Sequence, residues 1–136
     1  GIEVCSAIKN IYAMIIGAGQ SLNSSSNLFQ KSILEMKYLI KYFKGNDDTI
    51  SGLAGVGDLY VSAAGGRNSK MGSYLGKGFT FQTAKKRFMP KDTVEGEQLA
   101  REIAPFILKK INRSKIPLMI NLLKTILGNK KLKIKV

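Results

Sequence analysis

The sequence has no histidine and only one cysteine among its 136 residues. The absence of histidine excludes the usual zinc sites and any Ser-His-Asp or Cys-His catalytic arrangement. The single cysteine, Cys5, cannot form a disulfide within the chain, which favours a reducing compartment such as the cytoplasm. Any acid-base chemistry must therefore use Lys, Arg, Asp, Glu or Asn side chains.

Long apolar runs and acidic residues are also scarce. Lys9 and Asn10 interrupt the longest apolar stretch, so no segment reaches the roughly 18 apolar residues that suggest a membrane span, and no signal peptide is evident. Only 9 Asp and Glu stand against 22 Lys and Arg, which gives a net charge of +13. Such an excess is common in proteins that bind polyanions. One interpretation is therefore a small basic helical module that binds nucleic acid or another anionic surface.

The distribution of the basic residues favours a different interpretation. They are scattered along the chain, with the densest run in a basic tail at 129–136. They are also not interleaved with the aromatic residues that stack on bases. A solvated lysine surface explains most of the charge, and a nucleic-acid partner is not expected.

Apolar residues recur at helical spacing through most of the chain, and no convincing strand is present. We therefore predict an all-α fold with a single domain over residues 1–136. The predicted helices are Glu3 to about Gly17, 26–44, a short one over 49–53, Ser69–Leu75, 79–88, Val94–Ile111 and 117–127. We expect Gly17 and Gly19 to cap the end of the first helix and Gly128 to close the last, while Asp47 or Asp48 caps the start of the short helix and Thr80 that of 79–88. Pro105 should kink or divide the helix Val94–Ile111.

The first predicted helix is apolar on nearly every side, which is typical of a helix inside a domain. Its polar residues, Glu3, Ser6, Lys9 and Asn10, fall within about a third of the helical circumference. A buried lysine must find a partner, reach water or release its proton more easily. Lys9 is therefore either a structural lysine that is paired or solvated, or an acid-base group.

Two glycine-rich stretches carry further polar groups, one ending at Asp58 and the other being Gly65-Gly66-Arg67-Asn68. The planar fork of Arg67 matches phosphate oxygens, and the start of the helix near Ser69 favours negative charge. Alternatively, Arg67 and Asn68 form a solvent-facing turn and Asp58 caps a helix. If Lys9, Asp58 and Arg67 converge on one hollow, they predict a site for a small anion.

Four motifs occur in the order found in one enzyme family. The segments 7–10 (Ala-Ile-Lys-Asn), 53–59 (Leu-Ala-Gly-Val-Gly-Asp-Leu), 66–68 (Gly-Arg-Asn) and 94–96 (Val-Glu-Gly) resemble the C-terminal half of NAD(P)-dependent glycerol-3-phosphate dehydrogenase. The resemblance extends from Gly1 to about Leu127. It implies the helical fold found in the C-terminal half of the 6-phosphogluconate-dehydrogenase-like superfamily. Related β-hydroxyacid dehydrogenases and ketopantoate reductases also carry the lysine and asparagine, but they lack the Gly-Arg-Asn and Val-Glu-Gly combination.

The resemblance implies a role for each matching residue in the interconversion of glycerol 3-phosphate and dihydroxyacetone phosphate. Lys9 would donate and accept the proton on the substrate oxygen. The substrate-binding residues would be Lys9 itself, Asn10, Asp58, Ser62, Gly66, Arg67 and Asn68, with Arg67 and Asn68 gripping the phosphate. The cofactor-binding residues would be Arg67, Thr93 and Glu95, of which Glu95 with Thr93 would face the nicotinamide end.

The cofactor implied by the resemblance is NAD or NADP, bound mainly by an N-terminal Rossmann domain that this sequence lacks. We therefore expect the chain to be part of a longer protein, unable by itself to bind NAD(P) tightly or to turn over. The expected partners are a phosphorylated small molecule and that N-terminal domain, and a homodimer is compatible with the resemblance. The expected setting is the cytoplasm, in phospholipid precursor synthesis and carbohydrate metabolism. The stretch 22–28 departs from the family pattern, as does Ser32, where an arginine is expected.

Overall fold

The structure, a computed structural model, describes residues 4–22, 25–44 and 66–134 of the chain. These ranges contain six α-helices and one 3₁₀ turn and no strand, which confirms the all-α prediction. The predicted short helix over 49–53 lies outside the described residues. The helices are α1 (Val4–Ser21), α2 (Ser25–Lys44), α3 (Arg67–Gly76), α4 (Phe81–Phe88), α5 (Glu95–Lys110) and α6 (Pro117–Gly128), and the 3₁₀ turn is Arg113–Lys115.

Helix α1 is the centre of the fold. Every residue from Ile11 to Gly19 is buried, and the helix contacts α2, α3, α5 and α6. Lys9 and Asn10, just before this buried stretch, are half-buried. The prediction of an interior first helix is confirmed.

Helices α1 and α3 pack so closely that their backbones touch. A Cβ atom at Gly72 would collide with the carbonyl oxygen of Met14, and one at Gly76 would lie 2.6 Å from the carbonyl oxygen of Ala18. Real Cβ atoms do not approach a backbone oxygen so closely, and backbone cannot rotate away as a side chain can. The two glycines of α3 are therefore what allows this contact.

Gly17 belongs to the same contact, because its Cβ would collide with the carbonyl of Ser69 in α3. The prediction that Gly17 and Gly19 end the first helix is therefore wrong, and α1 continues to Ser21. Glycine is common after the end of a helix. Here Gly17 instead lies within the helix, where its missing side chain makes room for α3.

Other helix ends follow the sequence signals to within one or two residues. Thr80 caps α4 as predicted, since its hydroxyl accepts a hydrogen bond from the Thr83 amide at 3.3 Å. Helix α3 begins two residues before the predicted start, at Arg67. Helix α6 ends at Gly128, and its C-cap is Asn129 in a left-handed conformation with φ of 49°.

Pro105 does not divide α5, which runs unbroken from Glu95 to Lys110. A proline inside a helix removes one hydrogen-bond donor and leaves the carbonyl four residues earlier, here that of Arg101, without its helical partner. Pro105 lies on the exposed side of α5, where water can reach that carbonyl. The helix therefore tolerates the proline without a break.

A buried carboxylate joins three of the helices. Glu35 of α2 is only 6% exposed and accepts a hydrogen bond from the Tyr12 hydroxyl of α1 at 2.7 Å. It also accepts from the first free amides of α6, those of Leu118 at 2.9 Å and Met119 at 3.1 Å. Because a negative group stabilises the start of a helix, Glu35 acts as the cap of α6 from a different helix.

Burial shifts the pKa values of both Glu35 and Tyr12. It raises the pKa of the Glu35 carboxyl from its usual 4.5, because desolvation outweighs the three hydrogen bonds, which lower it. Burial and the neighbouring Glu35 also raise the pKa of the Tyr12 hydroxyl well above 10.0, so Tyr12 remains a donor at neutral pH.

The raised pKa of Glu35 predicts a pH dependence of stability. A carboxyl that holds its proton more tightly in the folded chain contributes stability that is fully present below about pH 4.5 and is lost as the pH rises through the folded pKa. As the pH rises from about 4.5 through the folded pKa, we expect the free energy of unfolding of the natural chain to fall relative to that of Glu35→Gln. Urea unfolding of both proteins from about pH 4 to pH 7 measures the difference. A difference that is constant or rises with pH would contradict the prediction.

Residues 130–134 form neither helix nor strand, but they are not a freely extended basic tail. Leu132 and Ile134 are half-buried and pack against the core, whereas Lys131 and Lys133 between them are exposed. Among the described helices, none is long and apolar enough to cross a bilayer.

Candidate functional site

A polar hollow of about 340 Å³ lies where α3 and α5 begin, and Arg67, Asn68, Thr93 and Glu95 line it. Arg67 is the first residue of α3 and Glu95 is the first residue of α5. The hollow therefore combines one guanidinium, one carboxylate, one hydroxyl and one carboxamide at the starts of two helices.

Neither helix start is capped by the side chain of the residue that precedes it. The residues that precede them, Gly66 and Val94, are extended and have no side-chain cap hydrogen bond. The first amides of a helix have no partner within the helix and attract negative groups. The arrangement is suited to a small anion, with Arg67 as a permanently charged cation beside the helix starts.

Asn68 connects the hollow to the central helix. Its side-chain amide nitrogen donates to Oδ1 of Asn10 in α1 at 2.7 Å, and its Oδ1 accepts from the backbone amide of Gly96 in α5 at 2.8 Å. One carboxamide therefore joins α1, α3 and α5. A Cβ atom at position 96 would lie 2.7 Å from that Oδ1, so glycine is required for the contact.

The structure brings together several of the residues predicted from the sequence. Arg67, Asn68, Thr93 and Glu95 share the hollow, Gly66 immediately precedes it, and Asn10 is bonded to Asn68. Lys9 is half-buried beside Asn10 on α1 and is not among the described residues that line the hollow. The other two predicted site residues, Asp58 and Ser62, lie outside the described residues.

Sequence reasoning missed two features of the site. One is the amide of Gly96 as a bonding partner, although a glycine so near a helix start could have indicated a close approach. The other is the pairing of Lys70 with Asp92 at 4.0 Å, which links α3 to the segment before α5. Both side chains of that pair are partly exposed, so we expect little stability from it.

A second, larger hollow of about 660 Å³ lies between α2 and α6 and contains none of the predicted residues. Its wall is mainly apolar, with lysines from α2 and from the tail among the side chains that line it. The lining residues are Lys31, Leu34, Glu35, Pro117, Leu118, Asn121, Lys133 and Ile134.

The fold and the polar hollow define a class, an all-helical domain with a polar hollow at the starts of two of its helices. Comparison with known proteins identifies the particular family. The sequence model described as NAD-dependent glycerol-3-phosphate dehydrogenase C-terminus matches residues 1–136, and the chain belongs to this family.

Individual relatives agree with this assignment. The chain is 40% identical over 88 residues to glycerol-3-phosphate dehydrogenase [NAD(P)+] of Onion yellows phytoplasma, covering 60% of the chain and 27% of that protein. It is 34% identical over 123 residues to NADP(+)-dependent glycerol-3-phosphate dehydrogenase of Archaeoglobus fulgidus, covering 82% of the chain and 36% of that protein.

The fold is also similar to that of solved structures. The crystal structure of glycerol-3-phosphate dehydrogenase from Coxiella burnetii matches with a TM-score of 0.78 and 26% identity, over 95% of the chain and 40% of the solved protein. The chain therefore spans between about a quarter and two fifths of the length of the relatives described here.

Proposed function

We propose that this chain is the substrate-binding, lysine-bearing half of an NAD(P)-dependent glycerol-3-phosphate dehydrogenase, which interconverts glycerol 3-phosphate and dihydroxyacetone phosphate. The observation that carries the proposal is the hollow at the starts of α3 and α5. In a chain of this family, it holds Arg67 at the start of α3 and beside the start of α5.

Arg67 would bind the phosphate of the substrate. A guanidinium offers two parallel N–H donors to two phosphate oxygens, and the positive end of the α3 helix dipole adds to the attraction. Gly66, with no side chain, lets the phosphate approach this backbone. Binding energy from the phosphate would then be used to orient the reacting carbon, which lies at the other end of the substrate.

Lys9 would move the proton. In the oxidation of glycerol 3-phosphate, the hydroxyl proton passes to the Lys9 amine while the carbon loses a hydride, and in the reduction Lys9 returns the proton to the carbonyl oxygen. General acid-base catalysis of this kind typically contributes about 10²- to 10⁴-fold in rate. Asn10, Asp58 and Ser62 would bind the substrate near that oxygen.

The chemistry of Thr93 and Glu95 fits the nicotinamide end of the cofactor. The carboxamide of nicotinamide donates through its N–H groups and accepts through its oxygen. The exposed Glu95 carboxylate and Thr93 hydroxyl at the hollow offer the matching acceptor and donor. When bound, NAD or NADP would supply the hydride acceptor or donor. Arg67 lies in the same hollow and would also contact the cofactor.

The remaining parts of the proposal concern the complete enzyme. We propose that an N-terminal nucleotide-binding domain holds most of NAD(P), and that residues 1–136 form one helical domain. The expected setting is the cytoplasm, in glycerol-3-phosphate metabolism and phospholipid synthesis. A homodimer would be compatible with this proposal.

Replacing Arg67 tests the proposal directly. We expect Arg67→Ala to weaken the binding of glycerol 3-phosphate to the chain by about 10- to 100-fold, because a hydrogen bond to a charged group is worth roughly 1.5–3 kcal/mol. Titration followed by NMR measures the dissociation constant and should show shifts at the amides that surround the hollow. Arg113→Ala, which removes an exposed arginine in the 3₁₀ turn, should leave binding unchanged and serves as the matched control.

Salt dependence separates this proposal from the alternative of a basic module for polyanions. Capture of one phosphate should weaken only modestly with added salt. A tight affinity for duplex nucleic acid that falls by about 10³-fold or more between 50 and 200 mM salt would instead favour the module. Equal effects of Arg67→Ala and Arg113→Ala on that affinity would strengthen this contrary conclusion.

A further inference from the structure

We propose that the hollow between α2 and α6 binds a small amphiphile, a molecule with one alkyl chain and one anionic head group, either a carboxylate or a phosphate. Its volume of about 660 Å³ lies within the range of about 300–1,000 Å³ that is usual for small-molecule sites. The hollow shares no lining residue with the polar hollow at the starts of α3 and α5, so this inference does not depend on the proposed function.

The wall of the hollow suits an alkyl chain. Among the described residues, three segments form it: one face of α2, the start of α6 and the C-terminal stretch 130–134. Leu34, Pro117, Leu118 and Ile134 give the wall its apolar surface. Leu34 is 66% exposed and Pro117 is exposed too, so apolar surface is open to water here. An alkyl chain would cover that surface, which is favourable because it removes apolar area from water.

Two cations stand beside this apolar wall, Lys31 of α2 and Lys133 of the C-terminal stretch. Both side chains are exposed, and within the described residues neither forms an ion pair with a carboxylate. Two ammonium groups of one hollow attract an anion, and an apolar wall weakens the screening of that attraction by water. The anionic head group would therefore bind at the two lysines.

The carboxylate at the hollow does not cancel this attraction. Glu35 is buried, and it already accepts hydrogen bonds from the Tyr12 hydroxyl and from the amides of Leu118 and Met119, which compensate its charge. Asn121, half-buried in the same wall, has a carboxamide that can donate to a head group. An apolar hollow with a few polar groups and a titratable residue of shifted pKa is typical of a ligand site.

The C-terminal stretch makes the hollow concave. Leu132 packs against the core and holds the stretch in place, and Lys133 and Ile134 then line the hollow. Lys131, two residues earlier, is exposed and is not among the described residues of the lining. The lysines of this stretch therefore differ in position, which supplies a matched control.

Titration of the 136-residue chain with decanoate, below the concentration at which micelles form, tests the site by NMR. We expect saturable one-to-one binding with shifts at the amides of Leu118, Asn121 and Ile134. Decanoate should bind about 10-fold or more tightly than octanoate, because each buried CH₂ group strengthens binding by about fourfold. Affinity that does not depend on chain length would overturn the proposal, as would binding only to micelles or anionic vesicles.

A change of head group tests the role of charge. Decyltrimethylammonium has the same alkyl chain with a cationic head, and it should bind at least about 10-fold more weakly than decanoate. Equal affinity would overturn the proposal. Decyl phosphate distinguishes the two anionic heads: tighter binding than decanoate would support a phosphate-bearing ligand, and weaker binding a carboxylate.

Substitutions of exposed lysines locate the head group without disturbing the core. We expect the double variant Lys31→Gln, Lys133→Gln to weaken decanoate binding by about 10-fold, since an exposed ion pair contributes up to about fivefold. The double variant Lys109→Gln, Lys131→Gln loses the same net charge at exposed positions outside the lining and should bind within about twofold of the natural chain. Equal losses would mean that net charge alone attracts the anion, and would overturn the site.

A second copy of the chain is the competing occupant of the hollow. If it fills the hollow, the same amides should shift with protein concentration in the absence of any amphiphile, and that result would overturn the proposal. Shifts that depend on decanoate alone would support it. A natural chain that binds decanoate but no glycerol 3-phosphate would overturn only the proposed function.

Discussion

Gly72→Ala is expected to lower the free energy of unfolding by about 3 kcal/mol or more. The new Cβ would collide with the carbonyl oxygen of Met14 and would lie 2.8 Å from its carbonyl carbon and 3.1 Å from the Ala18 nitrogen. All three atoms belong to the backbone of α1. The helices must therefore separate, and overpacking a close contact typically costs about 1–3 kcal/mol, with larger values where nothing can yield. Urea unfolding followed by circular dichroism measures the loss.

Gly128→Ala is the matched control, since it also adds one methyl group to a helical glycine. The nearest atom to its Cβ would be Cε of Lys130 at 3.4 Å, the end of a flexible side chain. Alanine in a helix is favoured over glycine by about 0.5–1 kcal/mol, so this variant should be slightly more stable than the natural chain. If Gly72→Ala unfolds within about 0.5 kcal/mol of Gly128→Ala, the close packing of α1 and α3 is not what stabilises the domain.

The same helix contact supports the candidate site. Asn10 and Met14 are one turn apart on α1, and Asn68 and Gly72 are one turn apart on α3. The contact that Gly72 permits is therefore continuous with the hydrogen bond between Asn10 and Asn68. We expect any separation of the helices at Gly72 to lengthen that bond before it affects the more distant parts of the fold.

The parts of the fold that were predictable from the sequence depend on local signals. The apolar period of α2 and the Thr80 cap of α4 are determined within one or two helical turns. The end of α1 was predicted wrongly because a glycine can mark either a helix end or a close contact with a distant part of the chain. Locally a glycine suggests a helix end, whereas its actual partner is Ser69, far along the chain.

The candidate site was predictable to a similar extent. The Gly-Arg-Asn and Val-Glu-Gly motifs indicated two groups of site residues, and the structure places Arg67 and Glu95 in one hollow. The bond between Asn68 and Gly96 joins residues 28 positions apart and depends on how two helix starts meet, which no local pattern reports. The roles of Lys9, Asp58 and Ser62 remain predictions.

Glu35 is the clearest case of a residue whose role only the structure reveals, because its partners in α6 lie 83 and 84 positions away. We expect Glu35→Ala to lower the free energy of unfolding by about 3–5 kcal/mol. The change leaves the Tyr12 hydroxyl and two helix amides without their acceptor, and each buried donor left unsatisfied costs about 1–3 kcal/mol. Urea unfolding at neutral pH measures the loss.

Ser32→Ala is the matched control for this variant, because it removes another buried polar group one turn earlier on α2. The Ser32 hydroxyl has no hydrogen-bond partner in the part of the chain that the structure describes. Burying an unpaired hydroxyl is unfavourable, so its removal should leave stability unchanged or raise it by up to about 1 kcal/mol. If the two variants unfold alike, the Glu35 carboxylate does not hold α6 to the core. A large loss for Glu35→Ala alone would mean that the start of α6 depends on an acceptor from α2, and through Tyr12 on the helix that carries Lys9 and Asn10.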